Sequence, residues 1–229
     1  MTQSGTQVIE APKFLAEMAQ KSAGSRKSAV PKAHRMAQAG SLESTLTALT
    51  ELVAQEHHKT VVLDCTGTQL VPPRYQATIK NVAIQLIRNA VMHGVESSAA
   101  RVSAGKPVHA TLHLEFKAMP DQSFELHFQD DGGGLDPDKV RATAVAKGLI
   151  TADAASRLRD RQAIKLIFKS GYTTLDSAPG EAPHGSGMSL VRRYVHEAGG
   201  KIALATLLGR ETRFKVTLPA LAAADAQVA

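Results

Sequence analysis

The sequence predicts an α+β domain, and three observations carry that expectation. Apolar residues recur at helical spacing in two stretches, Leu42, Leu46, Leu49, Val53 and then Ile79, Val82, Ala83, Leu86, Ala90. Alternation marks strands, most clearly Phe124-Glu125-Leu126-His127-Phe128 and the Phe214, Val216, Leu218 series. Glycine-rich turns stand between them, above all Asp130-Asp131-Gly132-Gly133-Gly134. At 229 residues the chain has room for one sizeable core with a small N-terminal extension.

Composition narrows the partners. A hydrophobic content of 43% with 21% charged residues is ordinary for a soluble globular protein. No apolar run approaches the roughly 18 residues that span a bilayer. The N-terminus MTQSGTQVIEAPK lacks the basic-then-apolar pattern of a signal peptide. The single cysteine, Cys65, leaves no internal disulfide and fits a reducing, cytoplasmic setting. A net charge of +6 invites a nucleic-acid reading, yet Lys and Arg are scattered, Trp is absent and aromatics are 4%. Without a stacking platform no nucleic-acid partner is expected. A polyanion such as a nucleoside triphosphate uses the same charge equally well.

Residues 1–40, rich in Ala, Ser, Lys and Gln, read as a flexible arm or linker, with a short helix around Pro12–Lys21 and a linker at Gly24–Pro31. A domain over 41–220 follows, then a loose Ala-rich tail at 221–229. Ser41 is the N-cap of the leucine helix and Glu43 lies in its first turn. That helix needs cover from the domain's own sheet or from another copy. His57-His58 occupy adjacent positions that point in different directions, a poor chelate, and read as helix C-terminal residues. Thr60–Cys65 is the next strand.

After the stop at Pro72-Pro73, Arg74 to His93 reads as one helix ending at Gly94 in the left-handed region. Gln85, Asn89 and either Met92 or His93 form a line along it. Asn89 is the residue to explain, a mediocre helix former deep in IQLIRNAVMHG. Its amide oxygen is a hard, neutral ligand suited to Mg²⁺, or it bonds a neighbouring loop.

Ala110–Lys117 and Ser123–Gln129 read as an antiparallel pair, the second half-buried and running into the glycine turn. A carboxylate beside bare backbone suits a flat, polar ligand such as a nucleotide base, and a plain structural turn has the same composition. Asp136-Pro137-Asp138 starts a helix that stops at Gly148. Thr151–Lys169 reads as a basic helical stretch in which Ile164, Ile167 and Phe168 pack, while Lys165 or Lys169 reaches a phosphate. Ser170–His184 has the density of Gly, Pro, Ser and Thr expected of a mobile loop. Gly185-Ser186-Gly187-Met188 opens a helix whose first amides suit an anion, as any glycine-capped helix would. Lys201–Thr206 and Thr212–Leu218 close the domain as strands.

Taken together, QLIRNAVMHGVE, DDGGGLD, IFKSGYTT and HGSGMSLV, in that order, resemble the ATP-binding domain of two-component histidine kinases. These belong to the GHKL superfamily of gyrase, Hsp90, histidine kinase and MutL ATPases. Asn89-x-x-x-His93-Gly94-x-Glu96 and Gly105-Lys106-Pro107 point to the chemotaxis (CheA) kind, over about Ser41–Pro219. The resemblance implies a two-layer α/β sandwich of the Bergerat type, its mixed sheet covered on one face by helices. It implies ATP and Mg²⁺ as cofactors, with Asn89 on the metal and Gln85 and His93 beside it in the catalytic set. It assigns Asp130 to the adenine amino group and lays Gly132 and Gly134 against the base. Asn89, His93, Lys169, Gly185, Gly187, Met188 and Thr212 complete the nucleotide contacts, and Ser170–His184 becomes a lid.

The activity implied is transfer of the ATP γ-phosphoryl group to a histidine. No convincing phosphoacceptor helix is visible and the C-terminal end leaves no room for a receptor-coupling domain. The acceptor is therefore expected on another domain or chain, a histidine phosphotransfer domain or response regulator, with a homodimer compatible. Two alternatives stay open: a nucleotide-binding regulatory module with little turnover, and a serine kinase of the anti-sigma type.

Three positions depart from the family pattern. Gln85 stands where the chemotaxis kinases carry His and most others Glu. An amide cannot act as general base near neutral pH, a loss typically of ~10²–10⁴-fold, although phosphoryl transfer rests mainly on positioning and charge neutralisation. Pro183 replaces the first glycine of the lid hinge. Glu211 replaces a glycine in the last motif, here Gly209-Arg210-Glu211-Thr212.

Overall fold

The computed structural model describes residues 6–7, 40–172 and 187–220. Six strands form one sheet in the order β1-β5-β6-β4-β3-β2. They are β1 (Thr6–Gln7), β2 (Val61–Thr66), β3 (Ala110–Ala118), β4 (Phe124–Asp130), β5 (Lys201–Leu207) and β6 (Glu211–Leu218). β1 pairs parallel with β5 and β2 with β3, while β3–β4, β4–β6 and β5–β6 are antiparallel, so the sheet is mixed. Within the expected loose arm, Thr6–Gln7 pairs with Ile202–Ala203 at the sheet edge. The helix expected at Pro12–Lys21, most of the expected lid, Pro183, Gly185 and the tail lie outside the described residues.

The helices are α1 (Leu42–Glu56), α2 (Gln76–Asn89), α3 (Ser98–Ser103), α4 (Pro137–Ala146), α5 (Ala152–Ser156), α6 (Asp160–Ile164) and α7 (Gly187–Glu197). Ser41 caps α1 as expected, its Oγ accepting from the Ser44 amide at 3.1 Å. Asp136 caps α4 in the same way, with Pro137 at the first helical position. The apolar stripes of α1, α2 and α7 meet the inward rows of the sheet in one core. Leu46, Ile79, Val82, Leu86 and Val191 face Leu112, Leu114, Phe116, Leu126, Phe128 and Val216 there. Phe168 packs edge-on against Phe214 with ring centroids 6.3 Å apart. Truncating one of these side chains to Ala costs roughly 2–5 kcal/mol.

Two local expectations change. β4 is not half-buried, for Glu125 and His127 on its other face are each only 8% exposed. β4 is central, so cross-strand neighbours cover its polar row. His127 Nε2 lies 2.6 Å from Glu125 Oε2, and Lys215 Nζ approaches Glu125 Oε1 at 3.3 Å. The His127 hydrogen bond, outweighing burial and aided by Lys215, draws the Glu125 carboxyl down to about 2.

The basic stretch after Thr151 is also not one helix. α5 and α6 are separate, and a 3₁₀ turn at Lys165–Phe168 follows. Arg159 is extended and opens α6, its amide donating to Gln162 Oε1 at 2.9 Å. Arg141 of α4 bridges the break, donating to Leu158 O at 2.8 Å and Asp160 Oδ1 at 2.6 Å. Ile164, Ile167 and Phe168 are buried, as their apolar character requires.

Candidate functional site

The site is organised by the C-terminal end of α2. Gly94 does not end that helix in the left-handed region. Residues Ala90–Gly94 instead form a π turn, closed by the Val95 amide donating to Ala90 O at 2.8 Å. Such turns concentrate at functional sites. The extra residue in the turn means the line from Asn89 to His93 is not carried through it. Beyond the turn, Gly94 O accepts the Gly133 amide at 2.8 Å, which pins the helix end to the glycine turn after β4.

Sterics explain two glycines of that turn. A Cβ on Gly132 would run into the Gly94 carbonyl and stand 2.8 Å from Asp130 Oδ1. A Cβ on Gly134, which has φ +70°, would meet the Leu207 carbonyl. Both glycines are thus required by the protein's own packing, whatever ligand lies beside them. Asp130 is 2% exposed, and its Oδ1 accepts the Gly132 amide at 3.0 Å. Burial pushes its carboxyl up to about 7, Asp131 and Glu96 adding to the rise against hydrogen bonds from the Gly132 and Thr212 backbone. Among the described residues no cation pairs with it. Thr212, also buried, stands directly opposite Asp130 across the β4–β6 ladder.

A polar staple that sequence reasoning missed holds this turn from behind. Arg101 of α3 is 1% exposed. Its five guanidinium donor bonds reach Pro107 O, Glu96 Oε2, Asp131 O, His109 O and Asp131 Oδ2 at 2.8–3.2 Å. Lys106 adds bonds to Glu96 Oε1 at 2.7 Å, Asp131 O at 3.0 Å and Gly132 O at 2.8 Å. A buried cation satisfied at every N–H is rigid, and removing it strands its partners. The motif letters Glu96 and Gly105-Lys106-Pro107 were its only sequence signal.

On the inner side of α2, Gln85 and Asn89 meet the start of α7. A Cβ on Gly187 would lie 2.6 Å from Gln85 Oε1, 3.0 Å from Asn89 Nδ2 and 3.2 Å from Asn89 Oδ1. The fold brings Gly187 to Gln85 and Asn89 from 98 or more positions away. Asn89 Nδ2 is buried and has no hydrogen-bond partner among the described residues. Helix α7 presents its first turn and the positive end of its dipole at this place. Met188 is 7% exposed and spent on the core, which anchors that first turn.

Other expected residues stand differently. Partial loss of water, with Lys59 and His57 nearby, holds the His93 imidazole below the usual histidine value. Lys169 Nζ donates to Leu149 O at 2.6 Å, so its ammonium is engaged by a loop carbonyl. Glu211 faces the outer side of β6, where its Oε2 accepts from Gln129 Nε2 and Arg213, each at 2.9 Å. The departure at Glu211 therefore does not put a carboxylate beside Asp130, because alternation turns Thr212 inward instead.

Residues 75–222 match the family "Histidine kinase-, DNA gyrase B-, and HSP90-like ATPase". The gliding motility regulatory protein of Myxococcus xanthus is 35% identical over 141 residues, 62% of this chain and 18% of that protein. The chemotaxis protein CheA of Rhizobium meliloti is 37% identical over 144 residues, 62% of this chain and 19% of that protein. This chain thus matches about a fifth of the length of those curated relatives. The catalytic domain of histidine kinase ThkA superposes with a TM-score of 0.46 at 17% identity, over 80% of this chain and 92% of that one. With the family match running through most of the chain, from the start of α2 past the end of β6, this protein belongs to the histidine kinase-, DNA gyrase B- and HSP90-like ATPases.

Proposed function

We propose that this chain binds ATP with Mg²⁺ and passes the γ-phosphoryl group to a histidine on another domain or chain, in the manner of the chemotaxis kinases it is similar to. The observation that carries the reading is the Asn89 amide nitrogen, buried and without a partner among the described residues, set against the first residue of α7. A buried N–H left unsatisfied costs about 1–3 kcal/mol, and an acceptor such as a phosphate oxygen seated here removes that cost. The donor set fits the group: a neutral amide for a hard cation, helix amides for phosphate, and a buried acceptor, Asp130, for an amino group.

In this reading Asp130 accepts from the adenine amino group, and Thr212 lies beside it. The first-turn amides of α7 meet phosphate, while Asn89 holds Mg²⁺ through its amide oxygen. Bound Mg²⁺–ATP supplies an activated γ-phosphoryl group whose charge the metal helps to neutralise. Gln85 holds no proton as a base and acts by orienting the incoming group through hydrogen bonds. His93 and Gly185 complete the proposed contacts, and partners are a histidine phosphotransfer domain or a response regulator.

Gln85 also favours a second reading, a nucleotide-binding regulatory module of the same fold with little turnover. Incubation with γ-labelled ATP and Mg²⁺, with and without histidine phosphotransfer domains, separates the two. Acid-labile label on a partner histidine is the expected result. Acid-stable label on serine sinks the histidine assignment, and tight binding with no label or hydrolysis selects the regulatory module.

A further inference from the structure

The π turn at the end of α2 leaves carbonyls that no helix residue can satisfy. Ala90 O is taken by the Val95 amide and Gly94 O by the Gly133 amide. Val91 O and Met92 O are taken from outside the helix. Lys59, in the connection between α1 and β2, donates its Nζ to Val91 O at 2.6 Å and to Met92 O at 3.1 Å. Its own backbone is fixed in turn, the Lys59 amide donating to Ala54 O at 2.9 Å. The lysine is half-buried, and burial lowers the proton affinity of its amine while Glu96 raises it. A cation partly withdrawn from water makes stronger bonds to carbonyls than an exposed one.

The π turn is flanked by Asn89 at one side and by Gly94, bonded to the glycine turn, at the other. We infer that Lys59 is a positioning residue: by closing the π turn it sets Asn89 relative to the Asp130 turn, and so both ends of the nucleotide site depend on it. The lysine touches neither end. Its sequence position, 30 residues before Asn89, gives no hint of the connection. This inference rests on the nucleotide reading above.

The test uses the full chain with Lys59→Met, which keeps the apolar stem and removes the donors, and Lys59→Arg, which restores them. ADP affinity is titrated with and without Mg²⁺, and exchange of the Val95 amide is followed alongside the thermal melt. Lys59→Met is expected to lose about 10-fold in Mg²⁺–ADP affinity, the scale of one charge-assisted hydrogen bond, and less without metal. Val95 exchange should quicken by more than the change in melting accounts for, and Lys59→Arg should recover most of both effects. Wild-type affinity in Lys59→Met, or Val95 exchange that merely tracks global stability, overturns the inference. Should Lys59→Met fail to fold, Lys59→Gln is read by the same criteria. A wild-type chain that binds no nucleotide overturns the functional reading instead, and Val95 exchange then decides the role of Lys59 alone.

Discussion

At the proposed base end, Asp130 and the glycines are held by Gly94, Thr212, Arg101 and Lys106 before any ligand arrives. At the proposed phosphate end, Asn89 keeps a buried amide nitrogen with no partner among the described residues, beside a helix start at Gly187. One end is finished by the fold, and the other, in the proposed reading, is finished by its ligand. The difference teaches that preorganisation and unsatisfied polarity are divided between the two ends, which lets the fold stay stable while one region remains reactive toward ligand.

Four substitutions test this division. Asn89→Ala should lower Mg²⁺-dependent nucleotide affinity about 100-fold, the loss of a strong polar contact to a charged ligand, with native circular dichroism and a ligand-free melt no lower than that of the wild type. Titration with and without Mg²⁺ checks it, and unchanged affinity would remove Asn89 from the site. Gly132→Ala should act in the opposite sense, destabilising the ligand-free fold by about 1–3 kcal/mol because the Gly94 carbonyl has nowhere to go. A chemical-denaturation curve like that of the wild type would mean the base end is less rigidly built than its contacts imply.

Asp130→Asn combines loss and gain. ATP affinity should fall roughly 10-fold while inorganic triphosphate binding holds, since only the base contact changes. Because the folded carboxyl is raised to about 7 from 3.8, its favourable contribution is complete below about 3.8 and is lost as pH rises through 7. The ligand-free variant should therefore melt a few degrees above the wild type at pH 8 and gain less at pH 5. An equal gain at both pH values would contradict the burial of a titrating acid there. Smallest of all, Glu211→Gly should leave nucleotide affinity within about threefold, because among the described residues its carboxylate bonds to outer-face groups. A large loss in that titration would bring the outer face into the site.

Reading the chain in sequence captured what periodicity and caps encode locally. Ser41 and Asp136 as caps, the apolar stripes of α1 and α2, and the strand pairs all follow from neighbouring residues. The π turn escaped notice because one inserted residue leaves the apolar pattern almost unchanged. Arg101 looked like any basic residue on a short helix, since its five bonds go to Glu96 and to three separate loop positions, Pro107, His109 and Asp131. The burial of Glu125 and His127 depends on β4 being central, a fact of strand order that no single strand contains. Of the candidate site, the residues and their order were legible in the sequence only as expectations. The meeting of Gly187 with Gln85 and Asn89 is a property of packing alone.

The position of β6 has a consequence for how the chain is made. It is the last strand of the sheet, yet it lies between β4 and β5. Until residue 218 has left the ribosome, β4 keeps one edge unpaired and Phe128 waits for Phe214. Completion of the sheet is therefore delayed by long-range pairing, and the growing chain carries an adhesive strand edge from the end of β4 until β6 has emerged.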